Sequence, residues 1–132
     1  MRSHTVTAVF PVPKERVFEY MSDIENLPLW ATEFARELKV VDGRHVVVNG
    51  LGEFLFEINA DERTGVVDMY AGPSPEAMGV FPTRVVALPG GSTAYSFTMF
   101  QAPDMPDELF ESQYESLRRE FENLEREFAG TP

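Results

Sequence analysis

Three side chains of types that move protons or hold oxyanions stand among apolar neighbours in this sequence: His45, Arg84 and Tyr95. Histidine can exchange a proton near neutral pH. An arginine on an apolar face needs an acceptor, because an unpaired buried charge is expensive. For Arg84 that acceptor is Asp68, a ligand's carboxylate or enolate oxygen, or water reached by snorkelling to the rim; the internal pair and snorkelling are the commoner outcomes. Tyr95 can donate a hydrogen bond to a ligand carbonyl, and Gln113 and Tyr114 can do likewise. Buried tyrosines more often bond a backbone acceptor. A lone histidine on an apolar face is more often a satisfied core or rim residue, and His45 lies just past a turn, at a partly wet sheet end. His4 is assigned no role.

The common catalytic frameworks are missing. There is no nucleophile elbow, phosphate-cradling glycine loop, zinc spacing or Rossmann fingerprint. Neither a metal nor a cofactor is expected. The formal charge is −11, from 22 acidic against 11 basic residues. That argues against nucleic acid, which is bound by neutralising phosphates, and against anionic membranes. Cysteine is absent, so no disulfide framework exists. No secretory signal or membrane span is evident. A cytoplasmic protein, monomer or homodimer, is the simplest expectation.

The elements that must position these residues read mostly as strands. His4 to Phe10 alternates and is β-branched, and Pro11 and Pro13 end it. Lys14 to Met21 puts Val17, Phe18 and Met21 on one helix side, and Ile24 to Trp30 supports at most a turn of helix. Asp42-Gly43 and Asn49-Gly50 are two-residue hairpin signals. They pair Val40 with His45, Leu38 with Val47, and His45 with Phe54. One face then collects Leu38, Val40, His45, Val47, Phe54, Phe56 and Ile58. Glu53 and Glu57 fall on the other face, which makes them a poor glycosidase pair.

Val66 to Ala71 is a strand of ambiguous facing: either Val67 and Met69 point in, or Asp68 and Tyr70 do. Gly72 to Pro75 is a loop. Ala77 to Leu88 reads as one strand bent near Pro82. A turn at Gly90-Gly91 pairs Leu88 with Thr93, Val86 with Tyr95 and Arg84 with Phe97. Arg84 then shares a face with Val80, Val86, Tyr95, Phe97 and Met99.

From Pro106 to Phe128 the apolar residues Phe110, Tyr114, Leu117, Phe121, Leu124 and Phe128 recur at steps of four and three, which is one helix face. The opposite face carries acids and arginines, with Glu115 and Arg119, and Glu122 and Arg126, at favourable spacing. Asp104 can cap its start and Gly130 its end. The class is α+β: a strand, two short helices, six further antiparallel strands and a long closing helix. The first strand is expected to pair with the last, giving a curved seven-stranded sheet wrapped on that helix. Such a sheet and one helix cannot fill every gap between them, so a cavity is plausible. Its wall would be Phe54, Phe56, Val86, Phe97, Met99, Phe110, Tyr114 and Leu117, with Tyr70 added if its strand faces that way. By spacing alone a dry core is the commoner outcome.

This order resembles the polyketide cyclase/dehydrase branch of the START/Bet v 1-like (SRPBCC) superfamily. The pattern runs from Pro13 through Val17, Phe18 and Tyr20 to Asp23, Asn26, Pro28 and Trp30, and closes with LFESQYESLRREFENL from Leu109 to Leu124. The resemblance implies a single helix-grip domain over residues 1–132 with a hydrophobic pocket between sheet and terminal helix. Trp30 would sit at the pocket mouth, as packing or as a gate, and Gly72 to Pro75 would form a second lip. No Cys-rich Rieske segment is present, which excludes the oxygenase branch. Three functions follow as expectations. One is binding of a small hydrophobic ligand: polyketide-, aromatic- or lipid-like. The second is a cyclase or dehydrase using Arg84, Tyr95 or His45. The third is an acidic interaction module like the superfamily's co-chaperones.

Overall fold

The computed structural model describes residues 1–129, so the expected Gly130 cap lies outside the described residues. Strand β1 (Ser3–Phe10) turns Val6, Ala8 and Phe10 inward and leaves Val9 exposed, as alternation requires. The prolines after it release the chain into α1 (Lys14–Ser22), which buries Val17 and Met21. Asp23 then accepts a hydrogen bond from Glu25 N at 3.0 Å and starts a 3-10 turn (Ile24–Asn26). One helical turn, α2 (Leu27–Trp30), follows with Pro28 at its start, where a missing N–H does no harm.

The strands β2 (Glu37–Val41), β3 (Arg44–Asn49), β4 (Gly52–Asp61), β5 (Val66–Gly72), β6 (Gly79–Phe81), β7 (Thr83–Ala87) and β8 (Thr93–Phe100) complete the sheet. The described residues form one eight-stranded antiparallel sheet in the order β1-β8-β7-β5-β4-β3-β2, with β6 paired to β5. β1 pairs with β8, as expected. The strand count exceeds seven because Pro82, which has no N–H to give a ladder, divides the expected long strand into β6 and β7.

The three turns test the expected registers. At Asp42-Gly43 both residues have positive φ (52° and 78°), and Val40 faces His45 and Leu38 faces Val47, as read from the sequence. The second loop is Gly50-Leu51 instead of Asn49-Gly50: Asn49 pairs with Gly52 and Val47 with Phe54. Asn49 is held in the strand by two bonds, accepting from Leu51 N and donating to Phe34 O, each at 2.8 Å. A slip of two residues keeps every side chain on its face, so the deduced apolar face stands.

The third turn is different. Leu88 N donates to Ser92 O at 2.8 Å, so the loop is Pro89-Gly90-Gly91. The odd loop residue shifts the pairing by one: Val85 faces Tyr95, Arg84 faces Ser96, and Thr83 faces Phe97. A shift of one exchanges the faces. Thr83 and Val85 are therefore buried, whereas Arg84 and Val86 point outward and are exposed. In β6 the same inversion turns Phe81 inward and Val80 out.

Helix α3 (Asp107–Glu127) crosses the concave face, with its backbone nearest β1 and α2. Phe110, Leu117, Phe121, Leu124 and the following Phe128 are buried, and burying each contributes about 1.5–3 kcal/mol. Pro106 occupies the cap position with no side-chain bond, so Asp104 does not cap. Instead Gln101 donates to Met105 O and to Asp107 Oδ1, at 2.8 and 2.7 Å. Of the expected helix pairs, Arg119 turns away from Glu115 to reach Glu33, and Arg126 bonds Asn123.

Candidate functional site

The lower half of α3 is packed tight. Phe128 meets Phe10 with ring centroids 4.9 Å apart and Tyr20 edge-on at 5.2 Å. Phe121 touches Trp30 at 6.3 Å and stacks near Tyr95 at 5.8 Å. The upper half, from Leu109 to Glu120, spans a cavity of about 650 Å³. The sheet supplies Phe54, Phe56, Met69, Phe81, Phe97 and Met99 to its wall, and the chain after α2 supplies Phe34. The expected lining residues Trp30, Gln113 and Leu117 also reach it. Trp30 is a wall residue, buried and edge-on to Phe97 at 6.2 Å.

Four expected wall residues lie elsewhere. Val86 is on the outer face, for the loop parity described above. Tyr70 is also outward: β5 turns Val67 and Met69 in, so Tyr70 sits opposite Glu57 and Val80. Phe110 and Tyr114 face β1, where they stack on the His4 ring at 5.1 and 3.9 Å. His4 Nε2 is 2.9 Å from Glu111 Oε1, and Arg2 also bonds Glu111. His4, given no role by its position, is thus the buckle between the first strand and the last helix.

The three residues singled out for chemistry do not meet. Arg84 is exposed on the outer face. His45 keeps the inner face but lies at the far end of the sheet, beside Ser22 and Ile24 in a separate shallow cleft. Tyr95 is fully buried beneath the wall. Burial pushes its phenol well above the ordinary range, with the nearby Thr83 hydroxyl opposing. Thr83 is committed to Val67 O at 2.5 Å, and the Tyr95 hydroxyl has no hydrogen-bond partner among the described residues.

The cavity holds a titratable group that the sequence reading passed over, Glu120. It is 3% exposed, lines the cavity, and accepts from Glu33 N at 3.0 Å and Phe34 N at 2.9 Å, both on Oε2. Removal from water pushes its carboxyl up to about 7, against the pull of the Phe34 and Glu33 amides. The signal was its spacing: three residues after Leu117 and four before Leu124, on the buried stripe.

The segment after α2 is tied from both sides. Asn123 Nδ2 donates to Trp30 O at 2.9 Å, and Asn49 Nδ2 reaches Phe34 O from β3. Glu33 receives Arg119 through two bonds of 2.9 and 2.7 Å and Ser116 at 3.0 Å, and the Arg119 guanidinium holds its carboxyl below the usual range. Arg36, exposed, and Gly50 stand at the mouth. The opposite lip begins at Gly72. A Cβ there would lie 2.0 Å from Ala77 O, so glycine alone lets the loop fold back this closely.

No family model matches the chain, and no curated protein matches it. Solved structures do. The Aha1 dimer from Colwellia psychrerythraea is 13% identical, with a TM-score of 0.70 and all of both chains covered (100% each). A START superfamily protein from Mycobacterium smegmatis is 17% identical, with a TM-score of 0.66 over 96% of this chain and 97% of that one. The Zhui aromatase/cyclase from a Streptomyces species is 16% identical, with a TM-score of 0.65 over 92% of this chain and 87% of that one. The curved antiparallel sheet gripping a long final helix, together with these likenesses, gives the chain the SRPBCC fold, the helix-grip architecture of START and Bet v 1-like proteins.

Proposed function

We propose that this protein binds a small, largely apolar, ring-bearing molecule in the cavity between the sheet and α3. One observation carries the reading: about 650 Å³ lined by aromatic rings and methionines lies under a helix whose lower half is packed solid. That volume suits a drug-sized molecule. The START and aromatase/cyclase likenesses support the same reading through the fold. The cyclase alternative loses its support, because Arg84, His45 and Tyr95 converge on no common point. The co-chaperone-like alternative draws on the Aha1 likeness but on no feature of the surface itself.

The test is binding of a neutral fluorescent hydrocarbon-like dye, N-phenylnaphthylamine. Ala71 lines the cavity from β5, and Ala71→Phe places a ring in the space. The wild-type protein is expected to enhance dye emission with micromolar affinity. Ala71→Phe should weaken it by about tenfold or more while keeping the circular dichroism spectrum. Equal binding by both proteins, or none by either, would sink the reading.

A further inference from the structure

We propose that the ligand carries a positively charged nitrogen and that this nitrogen seats on Oε1 of Glu120. The inference rests on the cavity reading above and names the chemical class it takes.

Both backbone donors to Glu120 end on Oε2; Oε1 receives no hydrogen bond from the described residues. Oε1 is not sealed off: it opens onto the cavity and stays available to a donor there. The side chain faces the cavity, so an occupant is placed to supply it. The surroundings favour a cation. Trp30, Phe34, Phe56, Phe81 and Phe97 line the space, and the faces of aromatic rings attract ammonium groups. A formal charge of −11 concentrates cations around the molecule.

The other charged groups near Glu120 compensate its charge only in part. Glu33, on the segment after α2, is taken by Arg119 and Ser116, and its own charge helps keep Glu120 protonated. Arg119, on α3, bonds Glu33; its charge attracts the Glu120 carboxylate, and this is the smallest of the influences on that group. Arg36 is exposed at the mouth beside Gly50. The strands contribute no charged side chain to the lining. With the carboxyl near 7, the seat is anionic above neutrality and filled by a proton below it.

The experiment is competition against N-phenylnaphthylamine by a matched pair, naphthylethylamine and ethylnaphthalene. At about pH 8 the amine is expected to bind at least tenfold tighter than the hydrocarbon, and at about pH 5.5 that gap should close. Glu120→Gln, whose amide oxygen can still accept from Glu33 N and Phe34 N, should close the gap at both values. Glu62→Gln, on the exposed turn after β4, should leave it open and so control for net charge. An amine that binds no better than the hydrocarbon, or a preference that survives Glu120→Gln, would overturn the inference while the cavity reading stands. If neither compound displaces the dye, both fall together.

Discussion

In the unfolded chain the Glu120 carboxyl titrates near its ordinary 4.5, and in the fold near 7. Between those values the folded state keeps a proton that the unfolded state has released. Stability must then decline as pH rises through this window and level off above it, by on the order of 3 kcal/mol from this group alone. In Glu120→Gln that decline should vanish, which urea unfolding at about pH 5 and pH 8 would show. Glu33 acts in the opposite sense. Arg119 depresses its folded carboxyl, so its stabilisation is present above the ordinary carboxylate range and is lost as pH falls through the depressed value. That pair is largely exposed and its share is small. Glu120 goes unnamed in the sequence reading, which picks out only apolar residues for the buried helix face. Its two amide partners lie more than eighty residues away, and no local pattern announces them.

Helix α3 does two jobs along one apolar stripe. Leu124 is fully enclosed, whereas Leu117 borders the cavity. A side chain beside a void has already forfeited contacts on that side. Leu124→Ala is expected to cost about 3–4 kcal/mol and Leu117→Ala about 1–2 kcal/mol, measured by urea unfolding; equal losses would mean the upper half is packed like the lower. The stripe itself was legible, because helical spacing alone decides it. The hairpins show where legibility ends. Asp42-Gly43 forces a two-residue turn, and every partner across β2 and β3 followed from it. At Gly90-Gly91 the loop also takes in Pro89, and one added residue sent Arg84 and Val86 to the outer face. Flexible glycines permit both loop lengths, so residue types there do not choose between them.

Over the whole molecule, fold class, the pairing of β1 with β8 and, apart from the strand that Pro82 divides, element order are legible in the sequence, because patterning and turn positions act consistently over the full chain. The interior volume could not be read, since it depends on how far α3 stands from the strands. Charge acts at this scale too. With 22 acids against 11 bases, at least half of the carboxylates have no basic side chain to pair with, and they repel one another. Raising salt from about 0.02 M to 0.3 M should lift the melting temperature by about 3 °C, as a calorimetric scan would register; a fall would mean that the surface ion pairs outweigh the repulsion.

The two sides of the cavity mouth are built unequally. The chain after α2 is moored to α3 through Glu120, Asn123 and Arg119 and to β3 through Asn49, so it cannot swing without breaking several bonds at once. The loop from Pro73 to Met78 is braced by a single internal bond, from Ala77 N to Ser74 O, among the described residues. If the cavity is filled as proposed, its occupant is expected to enter and leave on that weaker bank, with a dwell time set by how often those few residues lift.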